Sequence, residues 1–248
     1  MVAILSAVNI VGAYQDYGQE PNVNNLSNEV KVVRILIFSG EGTMEESVEG
    51  VKTCIDESNI LNLTNGYYFE YDTTDKINSN TLSGYDILIM PGGNSLNYVK
   101  SRNINVDDIK QFISNGNGYL GICAGAYAAS NSFGESYLGW GLASNVNTII
   151  VNYNGLLSIS TTPSGSALSN ETTLNIYHQN GPAMYTTGSD VYSFAYYADN
   201  KTDYKDYLAI VGENYGSGRV LLTGSHPEMY PQNSQLLARM ILWSTQKT

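Results

Sequence analysis

Apolar residues in the first half of the chain fall into short runs that are separated by segments with helical spacing. The clearest runs are KVVRILIFSG (31–40), YDILIMPGG (85–93) and GYLGIC (118–123). Short apolar runs bounded by glycine or serine are typical of buried parallel strands. GYYFEYDT (66–73) alternates apolar and polar positions and predicts a fourth strand.

Helical patterns alternate with these strands. Residues 43–59 place their apolar side chains on one helical face, with Thr43 expected as the N-cap and acidic residues in the first turn. A second helix is predicted over 105–116, and a closing amphipathic helix over 233–246. AGAYAAS (124–130) opens a further helix whose small side chains allow tight packing on a sheet. Strand followed by helix at this spacing indicates βαβ units.

Beyond residue 140 the pattern changes to short strands separated by Gly, Asn and Ser turns, which is typical of antiparallel additions. We therefore predict an α/β fold with a mostly parallel central sheet and added antiparallel strands. No boundary is apparent inside 31–248, so this range is expected to form one domain.

The beginning of the chain differs from the rest. MVAILSAVNIVGA (1–13) is apolar, too short to span a bilayer and without a basic n-region, and a polar linker follows over 14–30. One hypothesis is a trimmed export signal or membrane anchor with a tether, which favours an exported or cell-surface protein over a cytoplasmic one. The other is an apolar segment that packs on the domain.

Composition narrows the function classes. The 248 residues carry a formal net charge of −11, which argues against nucleic acid as a partner because phosphate binding needs a basic surface. Two cysteines, Cys54 and Cys123, are too few for a disulfide framework, although one bridge between them is conceivable. With only His178 and His226 besides, we expect no metal site of the usual tetrahedral kind, and no cofactor.

The stretch GYLGICAGAYAAS (118–130) places Cys123 directly between a buried strand and a helix, which is the nucleophile-elbow pattern with sulfur in place of oxygen. Such a turn needs small neighbours, and Gly121 and Gly125 supply them. The helix N-terminus would favour a thiolate, and the amide of Ala124 would face a developing oxyanion. The alternative is a small buried residue in a tightly packed turn.

Two further segments also follow predicted strands. His226 lies in S-H-P-E after RVLLTG, and Glu228 could turn back to hold its imidazole. If this strand is a parallel neighbour of 118–123, His226 and Cys123 meet at one sheet edge. PGGNS (91–95) leaves bare backbone N–H groups at the same edge, suited to an oxyanion hole. The simpler interpretations are an exposed loop histidine and an ordinary turn.

In this order, P-G-G, G-I-C-A-G and H-P-E resemble the class I glutamine amidotransferase-like superfamily. More closely, PGG…GYLGICAGAY…YHQNGP…YGSGRVLLTGSHPE resembles the amino-terminal domain of some biotin–protein ligases and of standalone relatives, over roughly 31–245. The resemblance implies a flavodoxin-like three-layer fold and a Cys–His–Glu triad of Cys123, His226 and Glu228.

The resemblance also implies the surroundings of the triad. Gly93 and Ala124 would supply the oxyanion-hole amides, and the substrate pocket would be lined by Gly92, Asn94, Asn180 and Gly181. His178 is left out of the triad because no carboxylate follows it closely.

Three functions are compatible with these residues. The first is a cysteine hydrolase that cleaves an amide through a thioester, with glutamine, another small amide or a peptide as substrate. The second is a non-catalytic ligand-binding or cell-surface domain that keeps the fold. The third is a cysteine peptidase.

Overall fold

The structure is a computed structural model that describes residues 30–133 and 137–248. The predictions made for the apolar segment 1–13 and for the linker as far as residue 29 lie outside the described residues. Within the described ranges, no helix combines the length and the apolar character needed to cross a bilayer.

Five parallel strands form the centre of the sheet, in the order β2-β1-β3-β4-β13. They confirm the strands predicted from the apolar runs. Their bounds are β1 Lys31–Phe38, β2 Tyr67–Thr74, β3 Ile87–Met90, β4 Gly118–Ile122 and β13 Gly218–Thr223.

Helices cover both faces of this parallel core. They are α1 Glu45–Ile60, α2 Ser79–Leu82, α3 Ser95–Lys100, α4 Val106–Ser114, α5 Ala124–Ala129 and α6 Ser234–Ser244, with a 3-10 turn at Ser164–Ala167. The helices predicted over 43–59, 105–116, 124–130 and 233–246 correspond to α1, α4, α5 and α6.

The predicted N-cap of α1 is wrong. The helix is capped by Met44, without a side-chain hydrogen bond, and its first residue is Glu45. The Thr43 hydroxyl instead donates to the carbonyl of Gly40 at 2.8 Å and closes the preceding turn. Thr43 precedes the N-cap position by one residue, so its side chain stabilises the loop and not the helix.

The remaining strands extend the sheet beyond β13, and most of their pairings are antiparallel, as the Gly- and Asn-rich spacing predicted. An exception is the parallel pairing of β5 with β7. The bounds are β5 Ser130–Phe133, β6 Tyr137–Leu138, β7 Ala143–Ile150, β8 Asn154–Thr161, β9 Thr173–Gln179, β10 Pro182–Thr186, β11 Val191–Tyr197 and β12 Leu208–Tyr215.

Two apolar clusters lie on opposite faces of the sheet, which makes the fold three-layered. Along β1, Val33, Ile35 and Ile37 join the cluster that includes α1 and α6, whereas Leu36 and Phe38 join the cluster that includes α3, α4 and α5. Successive side chains of a strand point to opposite faces, so a continuous apolar run serves both clusters. The mixed α/β fold with a flavodoxin-like parallel core is thereby confirmed.

Candidate active site

Cys123 occupies a strained turn between β4 and α5. Its backbone has φ 49° and ψ −100°, a conformation that non-glycine residues rarely adopt. Such a residue costs on the order of 1–3 kcal/mol and persists only when its surroundings enforce it. A Cβ at Gly121 would lie 2.6 Å from the carbonyl oxygen of Gly125, and one at Gly125 would lie 2.1 Å from that of Met90. The small neighbours predicted from the sequence are therefore sterically required.

The turn is held to the neighbouring strand, and the thiol is nearly enclosed. The amide of Cys123 donates to the carbonyl of Thr223 in β13 at 2.9 Å. The Cys123 side chain is 6% exposed, and its thiol donates to the backbone carbonyl of Gln179 at 3.6 Å. Ala124 is the first residue of α5, where a backbone N–H has no partner within the helix. The predicted oxyanion-hole amide thus lies directly beside the sulfur-bearing residue.

His226 lies in the loop that follows β13, the parallel neighbour of β4. The register pairs Thr223 with Ile122, so this loop and Cys123 leave the sheet at the same edge. The backbone amide of His226 donates to the carbonyl of Tyr177 at 2.7 Å, which joins the loop to β9. The side chain is fully buried, which excludes the interpretation as an exposed loop histidine.

Glu228 contacts the imidazole directly. Its Oε1 lies 2.8 Å from Nδ1 of His226, and both side chains are 0% exposed. Burial lowers the pKa of His226, but the Glu228 carboxylate and the Cys123 thiol outweigh it and raise that pKa from 6.5 to about 10. Nε2 of His226 has no hydrogen-bond partner within the described residues. This nitrogen is therefore free to exchange a proton with a reacting group.

Ser47, on the buried face of α1, also contacts Glu228. Its hydroxyl donates to Oε1 of Glu228 at 2.6 Å and accepts the amide N–H of Gly92 at 2.8 Å. Sequence reasoning missed this residue. The one available signal was a serine at a position that the helical pattern of 43–59 turns toward the core.

The P-G-G loop is bonded to α1, to α3 and to the turn before α1. Gly92 uses its N–H for Ser47 and its carbonyl for Met44, and Asn94 uses its amide for Gly42 and its side chain to cap α3. These groups of Gly92 and Asn94 are engaged within the protein. Thr43 and Gly93 face each other in a β-bridge whose two hydrogen bonds run from Met44 to Gly92 and from Asn94 to Gly42. The N–H of Gly93 takes no part in these bonds.

Asn180 and Gly181, predicted to line the substrate pocket, lie in the loop that follows β9. The carbonyl of Asn180 accepts the hydroxyl of Tyr127 in α5 at 3.0 Å, and the preceding residue, Gln179, holds the Cys123 thiol. A Cβ at Gly181 would lie 1.8 Å from the carbonyl oxygen of Gly224, so this loop packs on the end of β13.

His178 is buried in β9 near the site without joining it. Nδ1 lies 3.2 Å from the Ser225 hydroxyl, and the Tyr197 ring packs edge-on at 5.6 Å. Burial, followed by the charge of nearby His226, lowers the pKa of His178 to about 4, so its imidazole is neutral at pH 7. The two histidines of the chain therefore differ in charge although they are neighbours.

Neither cysteine forms a disulfide, and both are buried. Within residues 30–133 and 137–248, no three His, Cys, Asp or Glu side chains are grouped so that they could hold a metal ion.

Comparison with known proteins relates part of the chain to one protein family. Residues 33–138 match the family described as "Biotin-protein ligase, N terminal". Over 175 residues, the chain is 28% identical to a biotin–protein ligase of Schizosaccharomyces pombe. This alignment covers 61% of the chain and 27% of the ligase. The chain thus spans about a quarter of the length of that relative.

Solved structures show the same fold at low sequence identity. A glutamine amidotransferase superposes with a TM-score of 0.62 at 17% identity, covering 86% of this chain and 98% of that one. PurLQS from Thermotoga maritima gives a TM-score of 0.57 at 15% identity, covering 86% and 97%. The resemblance stated from the motifs is therefore confirmed: the chain has a glutamine amidotransferase-like fold, and its residues 33–138 match the amino-terminal domain of biotin–protein ligases.

Proposed function

We propose that the protein is a cysteine hydrolase that cleaves a small amide through a thioester intermediate. The observation that carries the proposal is the arrangement of Cys123 and the His226–Glu228 pair. Cys123 lies on a strained elbow at the carboxyl end of β4, and the buried pair lies at the same end of the adjacent parallel strand. A nucleophile, a base and an orienting carboxylate at one edge form the arrangement used for acyl transfer.

In the proposed reaction, Nε2 of His226 already holds the proton of the Cys123 thiol when the sulfur attacks the carbonyl carbon of the amide. The C–N bond then breaks, and the proton on Nε2 goes to the leaving nitrogen. Water attacks the resulting thioester and gives a proton to Nε2 of His226. The C–S bond then breaks, which releases a carboxylic acid and restores the cysteine sulfur and the charged imidazole. Glu228 holds the imidazole and stabilises its charged form. The amides of Gly93 and Ala124 would stabilise the oxyanion in both steps.

The burial of the site favours a small substrate over a polypeptide. Cys123 is 6% exposed, His226 and Glu228 are 0% exposed, and β9 covers the loop that carries them. A folded or extended peptide would need a groove that admits several residues at the sulfur. Glutamine and other small primary amides need less room at the sulfur, and we place a peptidase below them.

A non-catalytic binding domain is the second candidate. It is favoured by the hydrogen bond from the Cys123 thiol to the Gln179 carbonyl, because this bond gives the sulfur a partner within the protein. In this function the pocket would hold a ligand without forming a covalent bond.

The deciding experiment compares wild type, Cys123→Ala and the matched control Cys54→Ala. Each protein is incubated with glutamine, a set of small primary amides and a peptide library, and acyl-enzyme is detected by intact-mass spectrometry. We expect turnover and a covalent adduct for wild type and Cys54→Ala, and neither for Cys123→Ala. Equal turnover by Cys123→Ala would refute Cys123 as the nucleophile. The absence of both turnover and adduct in wild type would refute the hydrolase and leave the binding domain.

A further inference from the structure

Ser47 connects two parts of the candidate site that are far apart in the chain. Its hydroxyl donates to Oε1 of Glu228 at 2.6 Å and accepts the N–H of Gly92 at 2.8 Å, and the residue is 0% exposed. We propose that Ser47 is a positioning residue that fixes the Glu228 carboxylate and, through it, the imidazole of His226. The catalytic meaning of this role rests on the proposed function, whereas the positioning of Glu228 by Ser47 does not.

The Ser47 hydroxyl can satisfy its two hydrogen bonds in one way. A serine has one O–H to donate, and an amide N–H can only donate to its oxygen. With the Gly92 N–H directed at Oγ, the Ser47 proton points to the carboxylate. The bond is charge-assisted, which makes it stronger than one between neutral groups.

The carboxylate depends on few bonds. Oε1 of Glu228 is shared between Ser47 and Nδ1 of His226, whereas Oε2 has no hydrogen-bond partner within the described residues. Without Ser47, the imidazole would be the remaining side-chain partner to hold the carboxylate in its plane. A buried carboxylate that loses one of two donors is expected to rotate or shift.

Close packing of α1 on both loops keeps Ser47 in place. A Cβ at Gly50, one helical turn further on, would lie 2.4 Å from the carbonyl oxygen of Glu228. A Cβ at Gly92 would lie 2.5 Å from Cε1 of His226. The helix therefore meets the backbone of the H-P-E loop, and the P-G-G loop meets the imidazole of His226, on either side of this hydroxyl.

Other ionisable groups also face this site. Cys123, in the turn before α5, acts on His226. His226 acts on His178 in β9, and the charge of Glu228 acts on the thiol of Cys54 in α1. Ser47 is uncharged, so replacing it alters the hydrogen bonding of Glu228 and leaves the number of charges around His226 unchanged.

The test compares Ser47→Ala with Ser58→Ala, which removes another buried hydroxyl of α1. Ser58 donates to the carbonyls of Cys54 and Ser234 and does not contact the triad. The pKa of His226 is measured by NMR of the imidazole, and the rate of Cys123 alkylation by iodoacetamide is measured across pH. We expect Ser47→Ala to lower the His226 pKa and to slow Cys123 alkylation at neutral pH by about 10- to 100-fold, the effect of losing a hydrogen bond to a charged group.

We expect Ser58→Ala to leave both quantities at the wild-type value. A Ser47→Ala protein that folds and keeps the wild-type His226 pKa would overturn the inference, as would an equal effect of Ser58→Ala. If Ser47→Ala does not fold, Ser47→Cys replaces it, with Ser58→Cys as the control. A thiol donates more weakly than a hydroxyl, so the His226 pKa should again fall, and an unchanged value counts against Ser47.

The outcome is separable from that of the proposed function. A wild type that cleaves no amide but shows the expected Ser47 effects would end the hydrolase proposal and keep the positioning role. If wild type cleaves an amide while Ser47→Ala leaves the His226 pKa unchanged, the hydrolase proposal stands and the positioning role of Ser47 is refuted.

Discussion

At the residue scale, the two cysteines carry the same thiol in different surroundings. Cys54 lies inside α1, fully buried, and burial, together with the charges of Glu228 and Glu57, raises the pKa of its thiol to about 12. Cys123 lies at the N-terminus of α5 with its side chain reaching the candidate site. A thiolate, not a thiol, attacks an alkylating reagent, so burial without a positive partner makes a cysteine inert.

We therefore expect iodoacetamide at neutral pH to label Cys123 and not Cys54 in the folded protein. Peptide mapping of the modified protein over time measures both rates at once. Cys54→Ala should keep the wild-type labelling rate, and Cys123→Ala should remain unlabelled until the protein is unfolded by denaturant. Labelling of Cys54 as fast as Cys123 would contradict an activated thiol at the elbow.

Residues in sequence motifs could be identified without a structure, because a strand, a turn and a small neighbour leave a local pattern. Cys123, His226 and Glu228 were predicted in this way, and the structure brings them to one edge of the sheet. Ser47 has no such pattern, because its partners are 45 and 181 residues away. Only packing of α1 against two loops reveals its contacts.

At the element scale, α1 both covers one face of the sheet and supports the loop that carries Glu228. Val48, Val51 and Ile55 bury its apolar stripe, while Gly50 lets the helix reach the H-P-E loop. The stripe was predictable from the 3.6-residue period. The need for glycine at position 50 could not be predicted, because it comes from the backbone carbonyl of Glu228, which lies 178 residues further along the chain.

Gly50→Ala tests this second role of the helix. Alanine favours a helix over glycine by about 1 kcal/mol. However, its Cβ would meet the carbonyl oxygen of Glu228 at 2.4 Å, so we expect a net loss of stability of about 1–3 kcal/mol. Urea unfolding measures the change.

The matched control is Thr53→Ala, which makes an alanine at an exposed position of the same helix. This variant should lie within about 0.5 kcal/mol of wild type. A Gly50→Ala protein more stable than wild type would show that α1 moves freely relative to the H-P-E loop.

At the scale of the whole molecule, the two histidines give stability opposite dependences on pH. The His226 pKa is raised from 6.5 to about 10, so its contribution is complete below about pH 6.5 and is lost as pH rises toward 10. The His178 pKa is lowered from 6.5 to about 4, so its contribution is present above 6.5 and is lost as pH falls toward 4.

We expect the free energy of unfolding, measured with urea from acid to alkaline pH, to have a maximum near neutrality. His226→Gln should remove the fall of stability on the alkaline side, because glutamine does not titrate. His178→Asn should keep the alkaline fall and remove the histidine-linked part of the acid fall. An alkaline fall of the same size in His226→Gln and wild type would show that other groups cause it.

Local patterns in the chain were enough to predict the alternation of strands and helices, the parallel core with antiparallel additions, and Cys123, His226 and Glu228 as candidate site residues. Each of these features depends on residues that are close together in the chain. The signals are the period of the apolar residues, a glycine next to a turn, and a short motif after a strand. The tertiary structure decided that Thr43 serves a turn, that Gly92 and Asn94 bond within the protein, and that Ser47 joins α1 to Glu228. These features depend on hydrogen bonds and close contacts that form only after distant segments have packed.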